Sequence, residues 1–309
     1  MKNKKMPEPK LDCLGLGIIP LDLLFGVKKY PEAGQKVDGN WLTVQGGGPV
    51  PNVMIGLNRL GRTSSLIAVI GNDLFGELTL SELKNEKVDS SQIIIKRKTS
   101  AVAAGFVEEG SGRRTLVLER QIFVEPKDIK LKDLRVPKII HLDGRDMKAT
   151  IKLAKWAKKV GALVSFDIGS MRNDVSAVFE YVDHLVVADS YAFGFTKTKT
   201  AKAAIKKLMK LCPGTIVVTA GIKGSTGCES GRYFWQPAYK VKNVDTTGAG
   251  DAFHTGYLFG LLKGKDLKDR LHLGAAVAAI KCSSSGGRAG LPTVKRLNKF
   301  LKNRPKKYA

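Results

Sequence analysis

Residues 244–253, with the sequence VDTTGAGDAF, place small residues and two carboxylates in one short turn: Asp245, Gly248, Ala249, Gly250 and Asp251. An apolar helical stretch follows at once, and the first turn of a helix leaves backbone N–H groups unpaired. Small residues let an anion approach those N–H groups, and phosphate suits such a site. A carboxylate beside it can accept a proton from an attacking hydroxyl. The pattern predicts phosphoryl transfer from a nucleotide to an alcohol. The alternative is an ordinary glycine-rich turn with Asp251 as a helix N-terminal charge.

A second cluster of unusual composition is the GGGP run at residues 46–49, followed by Asn52. Three glycines permit close backbone approach, and the proline favours the start of a helix. Asn52 would lie in the first helical turn, with a donor and an acceptor for a polyol. Asp22, just past the first predicted strand, could reach the same cavity from the end of the sheet. The alternatives are a helix-start role for Asn52 and a turn or cap role for Asp22.

Two familiar nucleotide motifs are excluded by their spacing. The GIKGS stretch at residues 221–225 is the nearest approach to a phosphate-binding Walker loop, and its glycines are too close together. Gly15 and Gly17 begin a dinucleotide fingerprint, but Pro20 stands where the third glycine is required. A nucleotide would therefore have to bind by another route.

The charge balance is strongly basic: the 309 residues have a formal net charge of +24. The lysines are spread along the chain and fall on the polar faces of predicted helices, which is typical of a solvated surface. We therefore expect no dedicated nucleic-acid function, although this field would attract anionic small substrates.

The cysteines and the apolar content of the chain indicate what kind of protein this is and where it is located. The four cysteines and four histidines are scattered, which argues against a zinc cluster and for free thiols. No apolar run approaches the roughly 18 residues of a spanning helix, and the first ten residues contain no apolar signal core. We expect a cytoplasmic protein that does not bind membranes.

Strand-like and helix-like segments alternate along most of the chain. This predicts an α/β fold with a mostly parallel sheet covered on both faces. Strands are expected at residues 11–19, 64–70, 138–142, 163–167, 184–188 and 215–219, and helices at 51–60, 74–84, 147–160, 201–211, 253–281 and 294–301. Two segments, 36–45 and 100–118, alternate polar and apolar residues without intervening helices, and residues 109–112 resemble a hairpin turn. We expect them to form a small β-sheet lid on a single domain spanning residues 1–309.

Three motifs in this order resemble the ribokinase (pfkB) family of carbohydrate kinases: GGGPxxN at 46–52, VIGNDxFG at 69–76 and DTTGAGDAF at 245–253. The resemblance extends from about residue 11 to residue 301. It implies a three-layer α/β/α fold with a small β lid. It also implies the use of ATP with Mg²⁺ to phosphorylate a hydroxyl of a sugar, nucleoside or related polyol. Lids of this family often pair between subunits, so the resemblance also implies a homodimer.

The resemblance also assigns roles by position. It implies that Asp251 is the catalytic base and that Gly248, Ala249 and Gly250 form the anion hole. The residues implied for the other ligands are, for the nucleotide, Thr219, Gly221, Gly224 and Thr247, and for the sugar, Asp22, Gly47, Gly48 and Asn52. Asp245 and the loop at 286–287 lie where many members bind a monovalent cation such as K⁺.

One departure concerns the metal. Many members have an Asn-x-x-Glu motif that helps to organise Mg²⁺, whereas this chain has ADSYAF at residues 188–193, without a glutamate. Asp189 is the candidate substitute.

Arg145 and residues 281–292 resemble the ketohexokinase-like and sulfofructose kinase-like branch. There an arginine would meet an anionic head group; the alternative is a surface arginine on a loop. For His254, a polar helix residue satisfied by its neighbours is favoured over a catalytic role.

The sequence thus favours an ATP-dependent sugar kinase acting on a ketose-type sugar, including one that carries an anionic group. Two alternatives stay open. A nucleoside kinase of the same family would need an aromatic platform, which Trp41 and Phe106 could supply from the lid. A non-catalytic nucleotide or nucleic-acid binder would gain nothing from Asp251 beside a phosphate.

Overall fold

Two β-sheets of unequal size organise the computed structural model, which describes residues 11–110, 114–170, 175–284 and 286–303. The larger sheet contains nine strands: β1 (Leu11–Leu16), β4 (Ser64–Gly71), β5 (Ile93–Lys96), β8 (Pro137–Leu142), β9 (Leu163–Ile168), β10 (His184–Ala188), β11 (Thr215–Thr219), β12 (Ser225–Glu229) and β13 (Arg232–Gln236). Their order is β13-β12-β11-β10-β9-β8-β1-β4-β5. The strands from β5 to β11 in this order run parallel, and β12 and β13 add an antiparallel edge.

The smaller sheet consists of β2 (Leu21–Val27), β3 (Trp41–Gly46), β6 (Val102–Glu108) and β7 (Arg114–Glu119), in the order β3-β2-β6-β7. It corresponds to the predicted lid, although the strand in the 36–45 segment begins only at Trp41. The lid also includes β2, which was not predicted. Asp22 therefore lies on a lid strand, where it pairs with Gln45 and Ala103, and the prediction that it follows the end of a main-sheet strand was wrong.

The helices cover both faces of the larger sheet, as predicted. They are α1 (Pro49–Arg59), α2 (Leu74–Asn85), α3 (Met147–Val160), α4 (Asp189–Thr196), α5 (Ala201–Leu208), α6 (Ala249–Leu262), α7 (Leu267–Cys282) and α8 (Val294–Lys302). One buried core joins α3, α4 and α5 to one face of the sheet. A second core joins α1, α6 and α7 to the other face. The two cores use alternate residues of a strand, such as Leu14 and Cys13, because successive side chains point to opposite faces.

Local signals explain why the site-forming helices start where they do. α1 has Pro49 in its first turn and follows Gly48, whose φ of 93° is a conformation that favours glycine. α2 is capped by Asp73, whose carboxylate accepts a hydrogen bond from the Gly76 amide at 2.8 Å. α6 follows Gly248, whose φ is 72°.

The predicted α/β fold with a small sheet is confirmed, with differences at the ends of elements. α1 begins two residues earlier than predicted and α5 ends at Leu208 rather than residue 211. β12, β13 and α4 were not predicted. The proposed hairpin turn falls partly on residues 111 and 112, which lie outside the described residues. Among the described residues, no helix is long and apolar enough to cross a membrane.

Candidate active site

The turn before α6 is held in shape by the Asp245 carboxylate. One oxygen of Asp245 accepts a hydrogen bond from the Thr247 amide and the other from the Gly286 amide, both at 2.7 Å. A Cβ added at Gly248 would meet the Gly287 carbonyl oxygen at 2.8 Å, so a side chain at this position would push the two loops apart. A Cβ added at Gly250 would meet nothing within 4 Å. The turn is therefore closed on one side by residues 286–287 and open at Gly250.

The predicted anion-hole residues differ in what their amides do. The Ala249 amide donates to the Thr246 carbonyl at 3.0 Å, so it is engaged within the turn. Gly250 lies in the first turn of α6, where amides point out of the helix end. The open space at Gly250 leaves room for an anion to approach this end of the helix.

Asp251 and Asn52 meet although 199 residues separate them. The Asn52 amide donates to Asp251 Oδ2 at 2.5 Å, which joins the first turn of α1 to the first turn of α6. Burial raises the pKa of Asp251 above its ordinary value, and the charge of Asp167 acts in the same direction. The Asn52 hydrogen bond, His254 and Arg114 oppose this rise. A carboxyl group with a raised pKa next to an amide is well suited to accept a proton.

Asp22 and Gly47 lie against each other at the sugar end of the predicted site. A Cβ added at Gly47 would overlap the Asp22 carboxylate, so the close approach depends on glycine. Burial raises the pKa of Asp22 to about 6, with Arg288 and Arg114 opposing and Asp251 adding to the rise. Arg288 connects this end to Asp251, because it donates to the Gly47 carbonyl and to Asn52, which in turn donates to Asp251. The structure thus brings Asp22, Gly47, Asn52 and Asp251 together.

Arg288 is a site residue that the sequence reasoning assigned no role. Its side chain is buried, and Nε donates to Asn52 Oδ1 at 2.7 Å while Nη2 donates to the Gly47 carbonyl at 2.8 Å. Nη1 lies 2.7 Å from a Glu82 carboxylate oxygen, which accepts from the Gly46 amide at 2.6 Å. Because Asn52 Oδ1 faces this cation, its amide nitrogen is the atom left to face Asp251.

Arg145 is the arginine that the sequence analysis proposed for an anionic group of the substrate. It is exposed after β8, and its backbone amide donates to Asp143 Oδ1 at 2.9 Å. The arginine charges that lower the pKa of Asp22 are those of Arg288 and Arg114. Arg114 is the first residue of β7 in the lid. It pairs with Val107 of β6, which pairs with Gly26 of β2, four residues after Asp22. Because paired residues share a face and side chains alternate along a strand, Arg114 and Asp22 lie on the same face of the lid.

Three of the predicted nucleotide residues, Thr219, Gly221 and Gly224, lie at the end of β11. Ala188 pairs with Thr219, so Asp189 and Ala220 leave the sheet side by side. Gly221 and Gly224 have φ values of 53° and 88° in the tight turn after β11, and a Cβ at Gly224 would overlap the Gln236 carbonyl. Thr247 is buried in the turn before α6, where its backbone amide donates to Asp245.

The candidate metal ligands differ in how much of their carboxylate is free. Asp189 is partly exposed at the carboxyl end of β10, and one of its oxygens accepts from the Ser190 amide at 2.8 Å. This fits Mg²⁺, which proteins hold through one or two carboxylates together with phosphates. Asp245 fits less well, because backbone amides occupy both oxygens and the Lys281 ammonium lies 4.0 Å from Oδ2. Lys281 also donates to the Asp245 carbonyl at 2.8 Å.

Residues 10–294 match the model of the pfkB family carbohydrate kinases. The 5-dehydro-2-deoxygluconokinase of Clostridium botulinum (strain Alaska E43 / Type E3) is 24% identical over 289 residues, which cover 85% of each chain.

Solved structures show the same fold. The ribokinase of Thermotoga maritima superimposes with a TM-score of 0.85 at 22% identity, over 95% of this chain and 100% of its own. The ribokinase of Arabidopsis thaliana, complexed with ribose and ATP, gives a TM-score of 0.82 at 22% identity, over 95% of this chain and 99% of its own.

Proposed function

Because the chain belongs to the pfkB family of carbohydrate kinases, we propose that Asp251 is the base of an ATP-dependent kinase for a ketose-type sugar. The observation that carries this proposal is the hydrogen bond from Asn52 to Asp251 at 2.5 Å, at the start of a helix whose preceding turn is open toward Gly250. Asn52, which is proposed to bind the sugar, therefore contacts the proposed proton acceptor Asp251 at the start of α6, where backbone amides could bind a phosphate. This combination supports phosphoryl transfer to a hydroxyl group.

The proposed mechanism starts with the sugar hydroxyls held by Asp22, Asn52 and the backbone of residues 47–48. Asp251 accepts the proton of the attacking hydroxyl as its oxygen approaches the γ-phosphorus in line. The amides at the start of α6, including that of Gly250, offset the negative charge that develops on the phosphoryl oxygens. Arg288 keeps the Asn52 side chain in the orientation that this step requires.

The nucleotide is proposed to bind along Thr219, Gly221, Gly224 and Thr247, with Asp189 holding Mg²⁺ beside the phosphates. When bound, Mg²⁺ neutralises charge on the β- and γ-phosphates. The position of Thr247 supports this arrangement, because it is buried in the turn that leads into the start of α6, where the phosphates are proposed to bind.

A monovalent cation is a further proposed ligand of the Asp245 loop, but Lys281 already supplies a positive charge there. We therefore expect replacement of potassium by tetramethylammonium to change kcat only slightly.

For the substrate, we propose a ketose-type sugar that carries an anionic group. The name of the 24% identical relative, 5-dehydro-2-deoxygluconokinase, supports a keto sugar acid. Arg145 is the residue proposed from sequence to meet the anionic group, and Arg114 is a second candidate because its charge acts on both Asp22 and Asp251. A guanidinium can bind a carboxylate or sulfonate through paired N–H donors.

The alternative of a nucleoside kinase depends on the lid aromatics. Trp41 pairs with Gly26 and shares the lid face of Asp22, whereas Phe106 pairs with Phe25 on the opposite face. Only Trp41 is therefore proposed as a platform for a base, which weakens this alternative.

The opposite lid face supports the proposed homodimer. Its exposed apolar residues are Phe25, Leu42, Val44, Phe106 and Val117. Contiguous exposed apolar residues are typical of protein–protein contacts. Light scattering after gel filtration of Val117→Lys against the wild type tests whether this face pairs two copies of the chain.

The proposed function is tested by ATP consumption with a panel of neutral ketoses, keto sugar acids and nucleosides, with and without Mg²⁺. For the preferred substrate, Asp251→Asn should lower kcat by about 10²- to 10⁴-fold, because the amide cannot accept the proton. Nucleotide affinity, measured by calorimetry, should change little. A kcat close to the wild-type value in this variant would remove Asp251 from the mechanism.

A further inference from the structure

A fully buried lysine lies next to the turn that the proposed mechanism uses for the phosphoryl group. Lys281 is in the last turn of α7, and its side chain is 0% exposed. Its ammonium donates a hydrogen bond to the Asp245 carbonyl at 2.8 Å and lies 4.0 Å from Asp245 Oδ2. Burying a charge is costly unless it is paired and hydrogen-bonded, and Asp245 supplies both a charge and an acceptor.

Asp245 connects this ammonium to the start of α6. Its carboxylate accepts hydrogen bonds from the amides of Thr247 and Gly286, both at 2.7 Å. Gly248, the residue after Thr247, has a φ of 72° and directly precedes α6. Lys281 therefore contacts the residue whose side chain holds this turn in its conformation.

The backbone at the end of α7 contacts the same part of the chain. The Cys282 carbonyl accepts a hydrogen bond from the Val244 amide at 2.8 Å and from the Asp245 amide at 3.3 Å. A Cβ added at Gly290 would lie 2.5 Å from the Lys281 carbonyl oxygen. The segment that enters the turn and the loop that closes it on one side therefore both lie against the end of α7.

The Lys281 ammonium balances the charge of the Asp245 carboxylate. Burial raises the pKa of Asp245, but hydrogen bonds from backbone amides and the charge of Lys281 bring it below its ordinary value. The carboxylate is therefore ionised at neutral pH. Without Lys281, its negative charge would be unpaired beside the proposed phosphate site and would repel the phosphates.

The family resemblance implies a monovalent cation near Asp245, but the residues present fit such an ion poorly. Backbone amides contact both carboxylate oxygens, and Lys281 contacts the carbonyl oxygen. We propose that Lys281 is a positioning residue that takes the place of a free cation: its tethered ammonium holds the turn before α6 in the conformation that receives the phosphoryl group. The inference rests on the proposed role of this turn in phosphoryl transfer. Lys281 is assigned no contact with the sugar or the nucleotide.

The test replaces the tethered cation by a free one. Lys281→Ala removes the ammonium and leaves a buried space that can admit a small cation. Thermal unfolding and steady-state kinetics are measured in tetramethylammonium chloride, and then in ammonium or potassium chloride at the same ionic strength. In tetramethylammonium chloride, kcat/KM for ATP should be about 10- to 100-fold below the wild-type value, because the Asp245 carbonyl and carboxylate lose a buried partner.

The smaller cations should restore part of this loss in Lys281→Ala. We expect ammonium or K⁺ to raise kcat/KM for ATP about tenfold and to raise the unfolding midpoint by about 2 °C or more. The wild type should respond to neither cation. A merely structural role for Lys281 would lower the midpoint but would not make kcat/KM depend on a particular cation.

Three results would overturn the proposal. They are an unchanged kcat/KM in Lys281→Ala, a loss that neither cation reduces, and a wild type that K⁺ activates about tenfold or more. The unfolding midpoints require no substrate. A cation-dependent midpoint in Lys281→Ala, together with a wild type that phosphorylates no sugar, would support the role of Lys281 and reject the proposed function.

Lys281→Met keeps the proposal testable if Lys281→Ala does not fold. Methionine fills most of the space without a charge, so the Kd for ATP, measured by calorimetry, should rise about tenfold and should not respond to ammonium or K⁺. A Kd equal to that of the wild type would contradict the proposal.

Arg270→Ala is the matched control on the same helix. Arg270 is 2% exposed and pairs with Glu229 of β12. Its loss should lower the unfolding midpoint, because a buried ion pair is broken. Its kcat/KM for ATP should stay within about twofold of the wild type in all three salts.

Discussion

Arg288→Met should cost both stability and activity, because Arg288 joins three parts of the candidate site. The variant removes its hydrogen bonds to Asn52 and Gly47 and its ion pair with Glu82. Breaking a buried ion pair by removing one partner costs about 3–5 kcal/mol. The Glu82 side chain is 28% exposed, so solvent screens part of its charge. We therefore expect the free energy of unfolding to fall by about 3 kcal/mol, measured by urea denaturation.

The effect on activity follows from the orientation of Asn52. Without Arg288, Asn52 Oδ1 loses its donor, and the amide is free to turn away from Asp251. A hydrogen bond whose loss leaves a buried group unpaired costs about 1–3 kcal/mol. If this cost is felt in the transition state, kcat/KM should fall by about 10- to 100-fold. Steady-state kinetics with the preferred sugar measures this loss.

Arg270→Met is the matched control. Arg270 and Arg288 are each 2% exposed, and Arg270 also pairs with a glutamate, Glu229, which is the last residue of β12. Its loss should reduce stability similarly while leaving kcat/KM within about twofold of the wild type. A double-mutant cycle of Arg288→Met with Asn52→Ala should give a coupling energy above about 1 kcal/mol. Additive effects on kcat/KM would refute the idea that Arg288 acts through Asn52.

Three further predictions concern the sugar end of the site. Asp22→Asn should be more stable than the wild type at pH 7.5 but not at pH 4. The folded-state pKa of Asp22, about 6, lies above its ordinary value of 3.8, so the wild type loses stability as the pH rises through 6. Urea unfolding at the two pH values checks this, and a weaker variant at pH 7.5 would contradict it. Gly47→Ala should raise the sugar KM by about tenfold or more, because its Cβ would displace the Asp22 carboxylate. Gly39→Ala, whose Cβ would meet nothing closer than 3.5 Å, should leave KM unchanged. Arg114→Gln and Arg145→Gln should each be assayed with a keto sugar acid and with a neutral ketose. Loss of the arginine that binds the anionic group should raise KM about tenfold or more for the acid and leave KM for the neutral ketose unchanged. Equal effects on both sugars would reject an anionic substrate.

Much of the main sheet could be predicted from apolar runs and from the glycine, proline and polar residues that end them. α3 was predicted with the bounds that it has, because Gly161 ends it in a left-handed conformation with φ of 75°. The lid strand β2 was missed because no element was predicted for residues 20–35, and the first strand was predicted to continue to residue 19, past its end at Leu16. The chain leaves the main sheet there and enters the smaller one at Leu21. Residues 11–24 are mostly apolar, and such a run does not by itself reveal a change of sheet.

The candidate site was partly predictable for a different reason. Motif spacing identified Asp251 and Asn52, because the glycines that mark each of them lie within a few residues of it in the sequence. Arg288 was not assigned because its partner Asn52 is 236 residues away, and no spacing rule connects them. A signal was present: a charged residue directly after Gly286 and Gly287, in a loop of small residues. Such a residue has few local neighbours with which to satisfy its charge, so a distant partner could have been expected.

The large positive charge of the chain and the chemistry of the site are separate matters. Exposed charges act over about 8 Å at physiological ionic strength, so scattered surface lysines concentrate anionic ligands near the protein without fixing their position. Inside the site, a few charged groups affect the pKa values of the two carboxyl groups. Arg288 and Arg114 lower the pKa of Asp22, whereas Asp167 raises the pKa of Asp251 and His254 lowers it. Burial raises the pKa of both carboxyl groups, which makes each a better proton acceptor than an exposed aspartate. Proton transfer therefore depends on these buried neighbours, whereas the net charge of +24 bears on how fast anionic ligands arrive.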